Sequence, residues 1–251
     1  MVLIFRKALR TVVNKSAYIV GLMPFLVGCT IDEYSVILTS YELKSPAGSG
    51  SGEPFLSSSG DAVYMSWLER VAADRHELRF SRLTGSSWEE PRVITSSDRF
   101  FVNWADFPSL TSGPNGSLWV HWLERGLNGG YDYGIRIAHS EDEGATWSEP
   151  WTPHEDVSAT EHGFVSTSPV GDNMGFLWLD GRRFEVGPDG LPATQEMALM
   201  HRTITSGDIK GAEVLVDARV CECCQTDQAL TSNGPIAVYR DRSPDEVRDI
   251  Y

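Results

Sequence analysis

From about residue 53 onward, short runs of alternating apolar and polar residues are separated by Gly, Pro, Ser and Asn. Four of these runs are similar to one another, at residues 65–70, 120–125, 176–182 and 237–242. Their aromatic residues are spaced 55, 56 and 61 positions apart, and they are Trp67, Trp122, Trp178 and Tyr239. Alternation with a period of two is typical of β-strands, and no convincing amphipathic helix follows the N-terminal segment. The pattern therefore predicts an all-β protein built from a repeated unit.

Each aromatic residue lies in the middle strand of a predicted unit. A strand-like run precedes it, at 54–60, 107–113, 164–168 and 228–232, and an alternating run follows it, at 77–81, 134–139, 196–201 and 246–250. Three or four strands in about 55 residues are typical of a propeller blade, a four-stranded antiparallel sheet set radially about an axis. A β-sandwich with coincidentally similar strands is the alternative.

The expected blades are residues 53–95, 104–155, 162–217 and 225–251. The fourth blade stops inside its third strand, so the sequence predicts about three and a half blades of a propeller truncated at its C-terminus. Natural sheets avoid such an unpaired, partly apolar edge. Residues 29–52 are expected to be a linker, in which residues 34–41 could form a strand that closes a ring.

The N-terminal residues 1–28 are predicted to be a signal peptide. Four basic residues precede or flank a short apolar run, 17–28, that falls below the roughly 20 residues of a spanning helix. The run ends in Leu-Val-Gly-Cys, which resembles a bacterial lipoprotein cleavage box whose lipid-bearing residue is Cys29. An ordinary signal peptide is the alternative. The chain is expected to be anchored to the bacterial outer membrane or cell surface, and otherwise to be periplasmic or secreted.

The chain is acidic, with 35 Asp and Glu against 21 Lys and Arg. Removal of the four basic residues of the signal peptide leaves 17, so the mature net charge is near −18. Such a surface repels nucleic acid and anionic lipid, which argues against both as partners. Contact with a membrane is expected only through the lipid anchor.

Residues 140–147 read Ser-Glu-Asp-Glu-Gly-Ala-Thr-Trp. This octet matches the Asp-box, S-x-D-x-G-x-T-W, of bacterial-neuraminidase-repeat propellers at five positions: Ser140, Asp142, Gly144, Thr146 and Trp147. A carboxylate that accepts backbone N–H groups and a glycine with positive φ are typical of a tight turn. The octet therefore predicts a structural hairpin between outer strands, with the tryptophan buried between sheets, rather than a catalytic loop.

On these residues the chain resembles the sialidase-like propellers, whose full-length members have six blades. The segment from Arg219 through Cys221-Glu-Cys-Cys224 is similar to one exported, uncharacterised branch. The resemblance implies an exo-glycosidase that removes terminal, anionic sugars from glycans, without a cofactor. The alternatives are a non-catalytic glycan- or protein-binding propeller at the cell surface and a metal-handling propeller that uses the cysteines.

Carboxylates and arginines recur at the strand ends that a propeller brings to one face. Glu53, Asp106, Glu161, His162 and Asp227 are at the first strands of the four units. Arginines that follow the second strands are the candidate substrate-binding residues, because guanidinium groups bind carboxylates through two hydrogen bonds: Arg70, Arg125, Arg182 and Arg242. Asp106 is the candidate catalytic acid/base. The alternative is that these Arg–carboxylate pairs only connect structural elements.

Two features depart from the sialidase pattern. The opening Phe-Arg-Ile-Pro-type segment is absent, and the late blades that carry the tyrosine nucleophile with its glutamate lie beyond this sequence, so a complete triad cannot be assembled.

Cys221, Cys223 and Cys224 could form disulfides, which are the default in an exported protein, or a soft-metal site, or stay free. Their spacing is not that of a standard zinc site, so no metal ligands are assigned.

Overall fold

The computed structural model describes residues 2–3, 6–7, 38–40, 42–186, 192–194, 196–205 and 210–251, in two compact units, Met1–Ser45 and Pro46–Tyr251. In the first unit, β1 (Val2–Leu3) pairs with β4 (Glu42–Leu43) and β2 (Arg6–Lys7) pairs with β3 (Leu38–Thr39), both antiparallel. Most of the predicted signal peptide, Cys29 and residues 34–37 and 41 of the predicted closing strand lie outside the described residues. In the part that is described, no helix has the length and hydropathy needed to cross a membrane.

The second unit consists of antiparallel sheets. The first sheet contains β5 (Ser51–Ser59), β6 (Ala62–Ala72), β7 (Arg75–Thr84), β8 (Ser87–Trp88) and β9 (Arg92–Ser97), and both β8 and β9 pair with β7. The second sheet contains β10 (Ser109–Ser112), β11 (Leu118–Arg125) and β12 (Tyr133–Ser140), with the short 3-10 helix Pro114–Gly116 after β10.

The third sheet contains β13 (His162–Val170), β14 (Asn173–Asp180), β17 (Met197–Thr205) and β18 (Val214–Val220). A two-stranded ladder of β15 (Glu185–Val186) and β16 (Pro192–Thr194) lies between β14 and β17 in the chain, and β19 (Asp227–Thr231) and β20 (Gly234–Val238) form the fourth sheet. No α-helix occurs among the residues described, so the prediction of an all-β chain is confirmed.

The sheets follow one another through their first strands. β5 contacts β10, β10 contacts β13, and β13 contacts β19, so the four first strands lie side by side along one line. The hydroxyl of Thr167 in β13 donates a 2.8 Å hydrogen bond to the hydroxyl of Thr111 in β10. The first strands of successive sheets therefore adjoin one another, and the remaining strands of each sheet follow on from its first strand. This is the arrangement of a propeller-like fold.

The middle sheet is packed on both faces, which its sequence explains. Leu118, Val120 and Trp122 of β11 belong to the core shared with the first sheet, whereas Trp119 and Leu123 belong to the core shared with the third. Successive residues of a strand point to opposite faces, so a strand between two neighbouring sheets is apolar at nearly every position. The two cores hold the three sheets together.

The repeated aromatic residues occupy equivalent places in the first three sheets. Trp67, Trp122 and Trp178 are all buried. The indole N–H of Trp67 donates to Glu69 at 3.1 Å, and that of Trp178 donates to Asp180 at 2.9 Å. In the first and third sheets the Trp-x-acid pattern thus forms the same hydrogen bond within the second strand.

The C-terminal segment pairs with the residues before it. Residues 247–251 run antiparallel to residues 239–243 through four backbone hydrogen bonds of 2.8–3.0 Å, around the bridge between Arg240 and Ile250. The two apolar residues of this segment, Val247 and Ile250, are exposed, and charged residues surround them in the sequence. The backbone of the segment is therefore paired while its apolar side chains remain in solvent.

Candidate functional site

The Asp-box forms the turn that follows β12. The Asp142 carboxylate accepts the Ser140 hydroxyl at 2.7 Å, and from Thr146 it accepts the N–H at 2.8 Å and the hydroxyl at 2.6 Å. These hydrogen bonds lower the pKa of Asp142 to about 2. Gly144 has φ +83°, the left-handed region that favours glycine. The contacts of this carboxylate are all within the turn.

The indole of Trp147 is half-buried and meets Phe80 of the first sheet edge-on, with ring centroids 5.8 Å apart. The Asp-box turn of the second sheet therefore packs against the first sheet. None of the five matched Asp-box residues lines the cavity described next.

A cavity of about 650 Å³ opens beside the first strands of the second and third sheets. Its walls come from the loop before β10, the loop before β12, the segment before β13 and the loop after β18. We call it the Asp106 pocket, and its chemically distinctive lining residues are Trp104, Asp106, Tyr131, Tyr133, Glu161 and Cys223.

Asp106 is the most buried carboxyl group of this pocket, with 1% of its surface exposed. One oxygen accepts the backbone N–H of Phe164 at 2.8 Å, and the other accepts the hydroxyl of Tyr133 at 3.0 Å. Burial raises the pKa of Asp106 to about 7, against the lowering effect of these two hydrogen bonds. A carboxyl group with this pKa is a competent proton donor and acceptor near neutral pH.

A backbone irregularity in β13 aims the N–H of Phe164 at Asp106. The pairing of β13 with β14 shifts register between Gly163 and Ser166, and Phe164 has φ +50°, a conformation that side-chain-bearing residues rarely adopt. The approach also needs a glycine, because a Cβ atom at Gly163 would lie 1.9 Å from Oδ2 of Asp106. Gly163 and Phe164 thus shape the backbone around this carboxylate.

Glu161 is the second carboxyl group with a raised pKa in the pocket. Burial raises the pKa of Glu161 to about 7, and the negative charges of Asp106 and Glu222 contribute to the rise. The Tyr133 hydroxyl donates to Asp106, and the backbone of Tyr133 forms an isolated parallel bridge with that of Glu161. Burial and these carboxylates raise the pKa of Tyr133, so it is neutral and donates its proton. The result is a linked Asp106–Tyr133–Glu161 group.

Two exposed aromatic residues stand at the mouth of the pocket. Trp104 is 86% exposed and Tyr131 is 67% exposed, although both are large apolar side chains. Aromatic residues left in solvent beside a cavity mark a binding surface more than a packing site. The lining is also acidic, since Asp132 and Glu222 join Asp106 and Glu161.

The four arginines predicted to bind substrate do not line this pocket. Arg70 and Arg125 are exposed, and the guanidinium of Arg125 lies 5.0 Å above the ring of Phe101. Arg182 pairs with Asp180 at 2.6 Å and with Glu213 at 2.8 Å, while Arg242 pairs with Glu246 at 2.9 Å. The structure brings Asp106 and Glu161 together but leaves these arginines elsewhere.

Two side-chain groups have the composition of metal sites. The first is Asp156, His162 and Asp180, whose ligand atoms lie within 4.8 Å of one another. Asp180 gives both oxygens to Arg182, at 2.7 and 2.6 Å, and His162 lies 2.9 Å from Asp156. These charge pairs account for the cluster without an ion. The second group is Cys221, Cys223 and Cys224, and all three thiols are free.

Sequence reasoning missed Tyr133 as the partner of Asp106. Tyr133 is the first residue of β12, opposite Arg125 in the ladder, and it is 2% exposed. The repeat indicated that Tyr133 lies at the end of a strand, on the same edge of the sheets as Asp106. Its orientation depends on stacking against Phe101, with ring centroids 3.9 Å apart, and no sequence pattern carries that contact.

No protein-family model and no curated protein matches this chain. Among solved structures, it is similar to a protein of unknown function from Dyadobacter fermentans DSM 18053, with 12% identity and a TM-score of 0.52, over 80% of this chain and 65% of that one. It is also similar to an ulvan lyase of polysaccharide lyase family PL25, with 11% identity and a TM-score of 0.51, over 79% of this chain and 50% of the lyase.

A thermostable family-43 glycoside hydrolase is similar at 12% identity and a TM-score of 0.49, over 83% of this chain and 70% of the hydrolase. The chain therefore spans about half the length of the ulvan lyase and about two thirds of the Dyadobacter protein. The likenesses to the Dyadobacter protein and the ulvan lyase, with TM-scores above 0.5, agree with the propeller-like fold of antiparallel sheets described above. They do not show the sialidase family, because the structures named are not sialidases.

Proposed function

We propose that the Asp106 pocket binds a glycan and hydrolyses a terminal glycosidic bond, with Asp106 and Glu161 as the acid and base. The observation that carries this proposal is the pair of carboxyl groups in one pocket, each with a pKa raised to about 7. Glycoside hydrolysis needs one protonated and one ionised carboxyl group on the two sides of the scissile bond. Burial raises the pKa of both carboxyl groups, and the charge of Asp106 raises that of Glu161 further, so the pair retains a proton near neutral pH.

The lining supports a sugar as the ligand. Trp104 and Tyr131 offer exposed aromatic faces at the mouth, and aromatic faces carry partial negative charge that favours contact with the C–H groups of a sugar ring. The volume of about 650 Å³ lies within the usual range for small-molecule sites. The glycan-related neighbours, the ulvan lyase and the glycoside hydrolase, agree in fold with such a role.

The finer proposal, from the Asp-box resemblance, is a sialidase-like exo-glycosidase acting on an anionic sugar. Among the described residues that line the pocket there is no arginine, and four are acidic. A carboxylate-bearing sugar would be repelled there at pH 7 unless residues outside the pocket reach it. The lining therefore favours a neutral sugar, and the anionic substrate rests on the resemblance alone.

A hydrolysis assay with a panel of fluorogenic exo-glycosides tests the proposal. The panel includes a sialoside, a glucuronide, an arabinofuranoside and neutral hexosides, with Asp106→Asn and Glu161→Gln as site variants. The matched control is Asp172→Asn, an exposed turn carboxylate far along β14 from the pocket. Loss of general acid–base catalysis lowers kcat by about 10²–10⁴. Absence of turnover with every member of the panel, or unchanged turnover in Asp106→Asn, would overturn the enzymatic role.

A non-catalytic glycan-binding protein is the second candidate, and the exposed Trp104 and Tyr131 favour it independently of the carboxyls. Glycan-array binding without turnover, lost in Trp104→Ala, would support this function over hydrolysis.

Export is proposed for either function, with the lipid on Cys29. Metabolic labelling with a radioactive fatty acid, absent in Cys29→Ala, tests the anchor.

A further inference from the structure

We propose that Cys221, Cys223 and Cys224 bind one copper(I) ion through three thiolates. The three cysteines lie on the loop from β18 to β19, and their Sγ atoms are all within 4.8 Å of one another. Cys221 Sγ lies 3.2 Å from Cys224 Sγ and 3.9 Å from Cys223 Sγ. Three sulfurs held about 2.3 Å from a central ion would be roughly 4 Å apart. The thiols are therefore close to a ligating arrangement before any ion binds.

The loop that carries the thiols is fixed at both ends. At the start of the loop, the backbone N–H of Cys221 donates to the carbonyl of Arg240 at 2.9 Å, and Cys221 is 1% exposed. On the far side, Gln225 donates to the carbonyl of Ala105, and the Thr226 hydroxyl donates to the carbonyl of Phe164 at 2.9 Å. A site whose backbone is already held loses little entropy when it binds an ion.

Two arginines donate hydrogen bonds to the sulfurs. Arg240 donates to Cys224 Sγ at 3.6 Å, and Arg248 donates to Cys221 Sγ at 3.5 Å. Three thiolates with a monovalent ion carry a net charge of about −2, and the two guanidinium groups offset part of it, since Arg248 also pairs with Glu222. Such N–H contacts to sulfur are the outer partners that orient and stabilise metal-bound thiolates.

The number of ligands also favours copper(I) over zinc. Structural zinc sites are almost always four-coordinate, whereas soft thiolates select copper(I). Across the described ranges, the cluster contains three cysteines and no fourth His, Asp or Glu ligand. The neighbouring carboxylate, Glu222, is held by Arg248 at 3.1 Å. A three-coordinate ion fits the three cysteine ligands. Because Cys223 lines the Asp106 pocket, the ion would lie at the wall of that pocket.

This inference is independent of glycan hydrolysis, and a copper(I) titration of the full chain tests it. The protein is purified without oxygen, reduced, and titrated with copper(I) against a chromophoric chelator, and X-ray absorption then counts the sulfur neighbours. The expected result is one ion per chain with three sulfur neighbours. Cys223→Ser, at the exposed cysteine, is expected to weaken binding at least about 100-fold, and Arg248→Gln, which keeps all three thiols, about tenfold.

Asp106→Asn is expected to bind copper(I) as the unchanged protein does, so the metal site and the hydrolytic site can fail separately. Circular dichroism of Cys223→Ser confirms that the variant is folded. Three results would overturn the proposal: no copper(I) uptake by the reduced protein, undiminished affinity in folded Cys223→Ser, or displacement of copper(I) by equimolar zinc(II).

Discussion

The hydroxyl of Tyr133, the first residue of β12, donates a 3.0 Å hydrogen bond to the carboxylate of Asp106, which stands 27 positions earlier in the loop before β10. Both groups are almost completely buried, at 2% and 1% exposure. A buried carboxylate costs free energy unless hydrogen bonds satisfy it, and only Tyr133 and Phe164 donate to this one among the hydrogen bonds described. Asp106 is therefore held at a cost in stability, and that cost depends on pH.

Asp106→Asn is expected to flatten the dependence of stability on pH. The pKa of Asp106 is raised from 3.8 to about 7 on folding, so the folded state binds the proton more tightly than the unfolded state. Its contribution is fully present below pH 4 and is lost as the pH rises through about 7. Between pH 5 and pH 8 the loss amounts to at most about 3 kcal/mol. Urea unfolding at pH 5 and pH 8 measures it.

Asp172→Asn serves as the control, because it removes the same charge from an exposed turn. Its change in unfolding free energy between pH 5 and pH 8 is expected to match that of the unsubstituted protein. An equal flattening in both variants would mean that the general negative charge of the chain, and not the buried carboxyl, causes the slope.

Gly163→Ala is expected to destabilise the protein by about 1–3 kcal/mol, as overpacking of a filled site does. The new Cβ would lie 1.9 Å from Oδ2 of Asp106 and 2.9 Å from Cε2 of Tyr133. Gly52→Ala is the matched control, since Gly52 precedes a positive-φ residue, Glu53, in the first strand of the first sheet, and no atom lies within 4 Å of its added Cβ. Thermal unfolding of both variants at pH 5 compares them. Similar melting temperatures would contradict the contact.

The sequence predicted the sheets better than it predicted the pocket. Trp67, Trp122 and Trp178 mark second strands, because burial on both faces requires apolar residues at nearly every position and such a short run is visible in the sequence. Residues 246–250 were predicted to form a strand, and the backbone of residues 247–251 does pair with residues 239–243; alternation alone did not show that Val247 and Ile250 would stay exposed.

The pocket depends on contacts between distant segments. The N–H of Phe164 reaches Asp106 only because β13 carries a register shift, and Tyr133 is held by Phe101. The repeat predicted that Asp106 and Glu161 lie at strand starts on one face. The spacing of residues along the chain does not predict which groups hydrogen-bond to them. Repetition of Arg beside Glu or Asp suggested a ring of arginines, but Arg182 is taken up by Asp180 and Glu213.

Gly144→Ala, in the Asp-box, is expected to lower the free energy of unfolding by about 2–4 kcal/mol. A left-handed conformation costs a residue with a side chain about 1–2 kcal/mol, and the new Cβ would also lie 2.3 Å from Cζ of Phe80. Gly85→Ala is the control, because Gly85 also has positive φ in a turn, at +62°, but has nothing within 4 Å. The difference between the two unfolding free energies measures the Phe80 contact. Equal losses would show that the backbone conformation alone requires glycine at position 144.

Trp104→Ala is expected to weaken glycan binding about tenfold while leaving the unfolding free energy nearly unchanged. At 86% exposure the indole contributes little to the core, whereas an aromatic contact with a ligand is worth about 0.5–1.5 kcal/mol. Tyr131→Ala, at 67% exposure on the same mouth, should act in the same direction. Isothermal titration with the best oligosaccharide from the hydrolysis panel or a glycan array gives both dissociation constants.

Leu127→Ala is the control, because Leu127 is 91% exposed but does not line the pocket. Weakening of equal size in Leu127→Ala would place the ligand outside the Asp106 pocket.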